Sequence, residues 1–141
     1  MFKVLITTVP FANKDISPLN LLEKNNIKYI INPLNKKLTE DELVELVSDF
    51  DVIIAGTELI TKKVMDAASN LKMISRVGIG LDSVDLLEAE RRGIVVSYTP
   101  DAPAPAVAEL TIGVMLTLLR SVQVSNMELH IVKNPGSFSA P

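Results

Sequence analysis

Apolar residues along this chain gather in short runs rich in Val and Ile, and between the runs they recur at helical spacing. That alternation builds a parallel sheet buried on both faces by crossover helices. Lys3 to Val9 reads as the first strand, and a helix follows from about Pro18, with Ser17 as its N-cap and Pro18 at the first helical position. Lys28 to Ile31 is the second strand. Thr39-Glu40-Asp41-Glu42 spells a capping box that opens an amphipathic helix through Leu43, Leu46 and Val47, and Val52 to Ala55 is the third strand. Thr61 caps a helix containing Val64, Met65 and Ala68, Lys72 to Val77 is the fourth strand, and Gly78-Ile79-Gly80 turns the chain. Asp85 and Glu88 make a second capping-box pair, on a helix that ends at Gly93, where a left-handed residue is expected. Ile94 to Tyr98 is the fifth strand. Right-handed connections between these strands imply an α/β fold over residues 1–100, a flavodoxin-like doubly wound parallel five-stranded sheet in the order 2-1-3-4-5.

The pattern then breaks. Pro100 to Pro105 holds three prolines and resists helix until Pro105 itself, so it reads as a hinge. Pro105 to Val122 follows as a long linking helix, apolar almost all round through Val107, Leu110, Val114 and Leu118 on one stripe and Ile112, Met115, Leu116 and Leu119 on others. Hinge and helix occupy residues 101–124, and residues 125–141, with Asn, Gly, Ser and two prolines, read as an irregular tail. A helix apolar on every side needs partners. Either a second domain follows it, or it packs against another copy in a homodimer.

Composition narrows the function. The chain has 141 residues, room for one domain with a real core, and its 14 basic and 17 acidic side chains give a net charge of −3 with no basic block. Nucleic-acid binding is therefore not expected. The absence of cysteine excludes disulfides and thiolate chemistry, and a single histidine, His130, argues against a zinc cluster. The N-terminus lacks a signal-peptide pattern, and Ala106 to Leu119 contains Glu109 and falls short of the ~20 apolar residues a membrane span needs. No membrane contact and a cytoplasmic location are the expectations.

Val77-Gly78-Ile79-Gly80-Leu81-Asp82-Ser83 admits three readings. As a dinucleotide fingerprint G-x-G-x-x-G it lacks the third glycine, which is Ser83, it follows the fourth strand instead of the first, and Asp101 lies beyond the fifth strand. As a structural turn it needs only glycine's freedom at positive φ. As an anion site it would aim the backbone amides of Val77, Gly78 and Ile79 into the crevice at the carboxyl ends of the strands, where a small carboxylate can be held.

Asp51 to Arg120, about half of the chain, resembles the D-isomer-specific 2-hydroxyacid dehydrogenases, and in particular their phosphoglycerate-type members. AGTELIT leads into a helix, LKMISRVGIGLDSVDL carries a G-x-G-x-D-x-x-D loop, GIVVSYTP supplies the next strand, and PAVAELTIGVMLTLLR is similar to the helix that leads into the nucleotide domain. The resemblance implies hydride exchange between C2 of a small D-2-hydroxyacid and NAD, with 3-phosphoglycerate one substrate to consider. It places the acid/base histidine, its glutamate partner, the carboxylate-clamping arginine and the cofactor's glycine motif after residue 141, so this chain holds no catalytic residue and is expected to be inactive alone. It assigns Val77, Gly78 and Gly80 to the substrate carboxylate, and Ile79 and Thr111 to the cofactor. Arg76 matches an arginine of phosphoglycerate-type members and either adds positive potential or pairs with a surface acid. One departure concerns substrate: Ala55-Gly56-Thr57-Glu58 stands where many phosphoglycerate-type members carry an arginine. His130 lies too early to be the acid/base, Asp85 has a capping role, and Asp82 stabilises the loop. The alternative is a stand-alone flavodoxin-like module that binds a small acid or dimerises. A phosphorelay receiver is excluded, because Thr7-Thr8-Val9 and Ala55-Gly56 stand where it needs acids.

Overall fold

The computed structural model describes residues 2–131 in two compact units, divided between Asp101 and Ala102. The first unit runs β1 (Lys3–Ile6), α1 (Ser17–Lys24), β2 (Lys28–Ile31), α2 (Glu40–Leu46), β3 (Val52–Ala55), α3 (Lys62–Ala67), β4 (Met73–Arg76), α4 (Leu86–Arg91) and β5 (Val95–Ser97). The five strands form one all-parallel sheet in the order β2-β1-β3-β4-β5. The fold is the doubly wound α/β sheet that the apolar pattern implies.

Register decides where the core lies. Leu5 pairs with Ile53 and Ile53 with Ile74, and this row is at most 1% exposed. It packs with Leu43 and Val47, Val64 and Met65, and Ala89, residues of the α2, α3 and α4 segments. Right-handed crossovers put α1 on the opposite face, over the β1 side chains Val4 and Ile6, which are also buried. No other helix of the first unit covers that face, and Val95 at its far edge is 59% exposed.

Capping follows the sequence in one helix and departs from it in three. Thr39 Oγ1 accepts from the Glu42 amide while Glu42 reaches back to the Thr39 amide, the full reciprocal box. At α1 the N-cap is Ile16, not Ser17; the Ser17 amide and hydroxyl both donate to Asp15, at 2.9 and 2.5 Å. Thr61 precedes α3, but its hydroxyl donates to Glu40 and caps nothing. Asp85 caps α4 through the Glu88 amide, yet Glu88 cannot complete a box, because the Asp85 amide is already bonded to the Ile60 carbonyl. Glu88 turns to Arg91 and Arg92 instead, and they hold its carboxyl down at about 2. Arg92 also bonds Asp66 and the Met65 carbonyl, which ties α4 to α3. Gly93, at φ +69°, is the left-handed residue expected after α4.

In the second unit the linking helix is shorter than the pattern suggested. α5 spans Ala104–Leu119, Ser121 takes φ +50°, and α6 (Val122–Ile131) leaves at 64° to α5. The expected irregular tail is thus helical up to Ile131. Gln123, Met127, Glu128 and Leu129 favour helix, Asn126 alone does not stop it, and the strong breakers Pro135 and Gly136 lie outside the described residues. Among the described residues no single helix is long and apolar enough to cross a membrane.

Candidate functional site

Ligands of open α/β sheets bind beyond the carboxyl ends of the strands where the order reverses, which in this sheet is between β1 and β3. Three segments meet there. Thr7 continues β1, with its amide on the Ile54 carbonyl at 2.9 Å; Gly56 to Ile60 continues β3; Val77 to Ser83 continues β4.

The β4 loop is anchored at both ends and open in the middle. The Val77 amide donates to the Ala55 carbonyl at 2.8 Å, and the Gly78 carbonyl accepts from the Thr99 amide at 3.0 Å. The Ser83 carbonyl accepts from the Ile60 amide at 2.7 Å, part of a short parallel bridge between Ile60 and Val84. Between these anchors the amides of Ile79, Gly80, Leu81 and Asp82 have no partner among the described residues. The amide set expected at Val77, Gly78 and Ile79 is therefore corrected. Val77 spends its N–H on the sheet, Gly78 bonds the Arg76 carbonyl at 3.0 Å, and of the expected set only the Ile79 amide is free, followed by those of Gly80, Leu81 and Asp82.

The two glycines have different reasons. Gly78 sits at φ +144°, a backbone conformation that demands glycine; a Cβ there would lie 2.6 Å from Arg76 Nη1, the far end of a side chain that would have to swing away. At Gly80 a Cβ would meet only Asp82 Oδ2, at 3.6 Å. Among the described residues nothing requires a glycine at that point, and the backbone there can be approached closely. Arg76 folds back over Gly78 and donates to the Val77 carbonyl, its Nε is buried without a partner, and it makes no ion pair among the described residues. The surface-acid alternative for Arg76 is not what forms.

Beside the loop lies a polar cluster that the sequence reading did not single out as a site. Thr7 is fully buried and Glu58 is 4% exposed. Glu58 Oε2 accepts from the Thr7 hydroxyl at 2.9 Å and from the Gly56 amide at 2.8 Å. A Cβ at Gly56 would lie 3.0 Å from both Thr8 Cβ and Glu58 Oε2, a tight fit that a side chain there would have to push apart. The available signal was a glutamate following Ala55-Gly56 at a strand end, beside Thr7 at the reversal point.

A nucleotide pyrophosphate does not fit this loop: the Gly78 amide is used internally, and the Asp85 carboxylate occupies the start of α4. Ile79 projects from the loop at 58% exposure, open to an apolar ligand face. Thr111 lies in the second unit, on α5, where its hydroxyl donates to the Val107 carbonyl at 2.7 Å. His130 is exposed on α6, away from any acid partner among the described residues.

Residues 4–139 match the family described as D-isomer specific 2-hydroxyacid dehydrogenase, catalytic domain. The chain belongs to this family. It is 38% identical over 96 residues to a hydroxypyruvate reductase of Thermotoga maritima, covering 67% of this chain and 31% of that protein. It is 40% identical over 94 residues to a D-3-phosphoglycerate dehydrogenase of Methanocaldococcus jannaschii, covering 65% of this chain and 18% of that protein. Among solved structures, NAD+-bound 3-phosphoglycerate dehydrogenase of Entamoeba histolytica superposes with a TM-score of 0.69 at 30% identity, covering 82% of this chain and 38% of that one. The chain spans less than a third of the length of these two curated relatives.

Proposed function

We propose that this chain is the substrate-side portion of an NAD-dependent D-2-hydroxyacid dehydrogenase, and that it holds the substrate's carboxylate on the Ile79 and Gly80 amides. The observation that carries the reading is the β4 loop, fixed at both ends at the carboxyl edge of the sheet, with the consecutive amides of Ile79 and Gly80 among those that the described residues leave unpartnered. Two N–H groups converging on a carboxylate make charge-assisted hydrogen bonds, and a rigid loop makes them without an ordering cost. Arg76 adds positive potential near the loop, and Ile79 offers an apolar face to the nicotinamide. NAD, when bound, accepts the hydride from C2 of the acid. Acid/base chemistry, the arginine clamp and most of the cofactor site belong to a second domain outside these residues, so the chain alone turns nothing over. A cytoplasmic location is part of the same proposal.

The same reading assigns the exposed apolar helix α5 to a homodimer contact. It is supported by Leu110, Leu118 and Leu119, which are exposed on a helix apolar almost all round.

The test of the loop is Gly80→Ala in the complete protein. The side chain fits the fold but meets the carboxylate, so KM for the hydroxyacid rises by about tenfold, the worth of one charge-assisted hydrogen bond, with the melting temperature held. An unchanged KM removes the loop from substrate binding.

A further inference from the structure

Glu58 is a buried carboxylate at the point where strand order reverses, and the fold goes to some length to keep it there. Its Oε2 takes the Thr7 hydroxyl and the Gly56 amide, and a Cβ at Gly56 would crowd it at 3.0 Å. These partners are neutral. No lysine or arginine reaches it within 4.0 Å among the described residues, whereas Glu88, the other buried glutamate, has two arginines. Oε1 accepts no hydrogen bond from the described residues, yet it is not among the sealed polar atoms, of which Arg76 Nε is the only one described. One oxygen thus holds the structure while the other has no partner among the described residues and is not fully sealed. Gly56 directly follows Ala55, whose carbonyl accepts from Val77, so this charge stands within about two strand spacings, ~10 Å, of the loop that meets the substrate.

We propose that Glu58 sets the substrate class by charge, admitting 2-hydroxyacids whose only ionised group is the carboxylate beside the reacting carbon and turning away those that also carry a phosphate. This rests on the dehydrogenase reading above. A carboxylate already bound at the loop is tolerated because two amides receive it directly. A phosphate elsewhere in the crevice brings about two further negative charges against Glu58, which no ion pair among the described residues neutralises, in a poorly screened setting. At that distance each charge changes binding on the order of tenfold.

The experiment compares kcat/KM of the complete enzyme for D-glycerate and D-3-phosphoglycerate, in wild type, in Glu58→Gln and in Thr57→Lys. Glu58→Gln removes the charge and keeps an acceptor for Thr7 and Gly56. Thr57 is exposed, so a lysine there adds the opposite charge without disturbing the buried bonds. Wild type prefers the unphosphorylated acid. Both variants shift the ratio at least about tenfold towards the phosphorylated one, and the shift shrinks at high salt, where charges are screened. A purely structural Glu58 would lower both rates together in Glu58→Gln and leave the ratio and its salt dependence where they were, which overturns the proposal; should Glu58→Gln not fold, an unmoved ratio in Thr57→Lys overturns it as well, because charge at this position then does not reach the substrate. A wild type that oxidises no D-2-hydroxyacid overturns the dehydrogenase reading itself, a different result from an active enzyme whose ratio does not move.

Discussion

Gly78 and Gly80 stand two positions apart and serve different ends. Alanine at Gly78 meets φ +144° and the Arg76 guanidinium, so Gly78→Ala lowers stability by ~1–3 kcal/mol in urea unfolding, whereas Gly80→Ala leaves the midpoint nearly unchanged and acts on KM. Sequence marked both glycines without separating them, because spacing shows where a turn lies and not which amides the turn consumes. The residues leave the Val77 and Gly78 amides open between a turn and an anion site, and the family resemblance assigns them to the substrate. Only register shows that Val77 faces Ala55 across the sheet. Glu58 was legible as an unexpected charge, but its burial on Thr7 depends on β1 and β3 being neighbours, a contact 51 positions apart in the chain.

Helix ends carry much of what makes the elements specific. Thr39→Ala removes a complete capping box and lowers stability by about 1 kcal/mol, while Ser17→Ala, which touches only Asp15, costs less than about 0.5 kcal/mol; paired urea titrations separate the two. Glu88 adds a pH signature. Arg91 and Arg92 lower its carboxyl from 4.5 to about 2 in the folded chain, so the stability it supplies is present above 4.5 and is lost as pH falls through about 2. Urea midpoints measured from pH 6 to pH 2 therefore fall more steeply in wild type than in Glu88→Gln, and parallel curves would mean that the Arg91 and Arg92 contacts do not form in solution. Strand positions and order were readable from apolar runs and crossover handedness. Capping was less so, since a Ser or Thr before a helix does not reveal that Asp15 or Glu40 will claim its hydroxyl.

At the scale of the whole molecule, the first unit has its own buried core and the second exposes apolar helix. If α5 is a dimer contact, sedimentation shows a dimer that Leu110→Glu with Leu118→Glu converts to monomer, with the first unit's melting unchanged; a wild-type monomer at high concentration contradicts it. The apolar pattern announced α5 but not its end, because Ser121 breaks the helix without any proline or glycine to mark the place. The central claim is that these residues supply the substrate side of a D-2-hydroxyacid dehydrogenase and no chemistry of their own. The most direct measurement is NAD reduction by the complete protein and by residues 1–141 in parallel, with D- and L-2-hydroxyacids as substrates. The account predicts reduction by the complete protein with D-acids only and none by residues 1–141. Turnover by residues 1–141 alone, a preference for L-acids, or no reduction by the complete protein with any D-acid would contradict it.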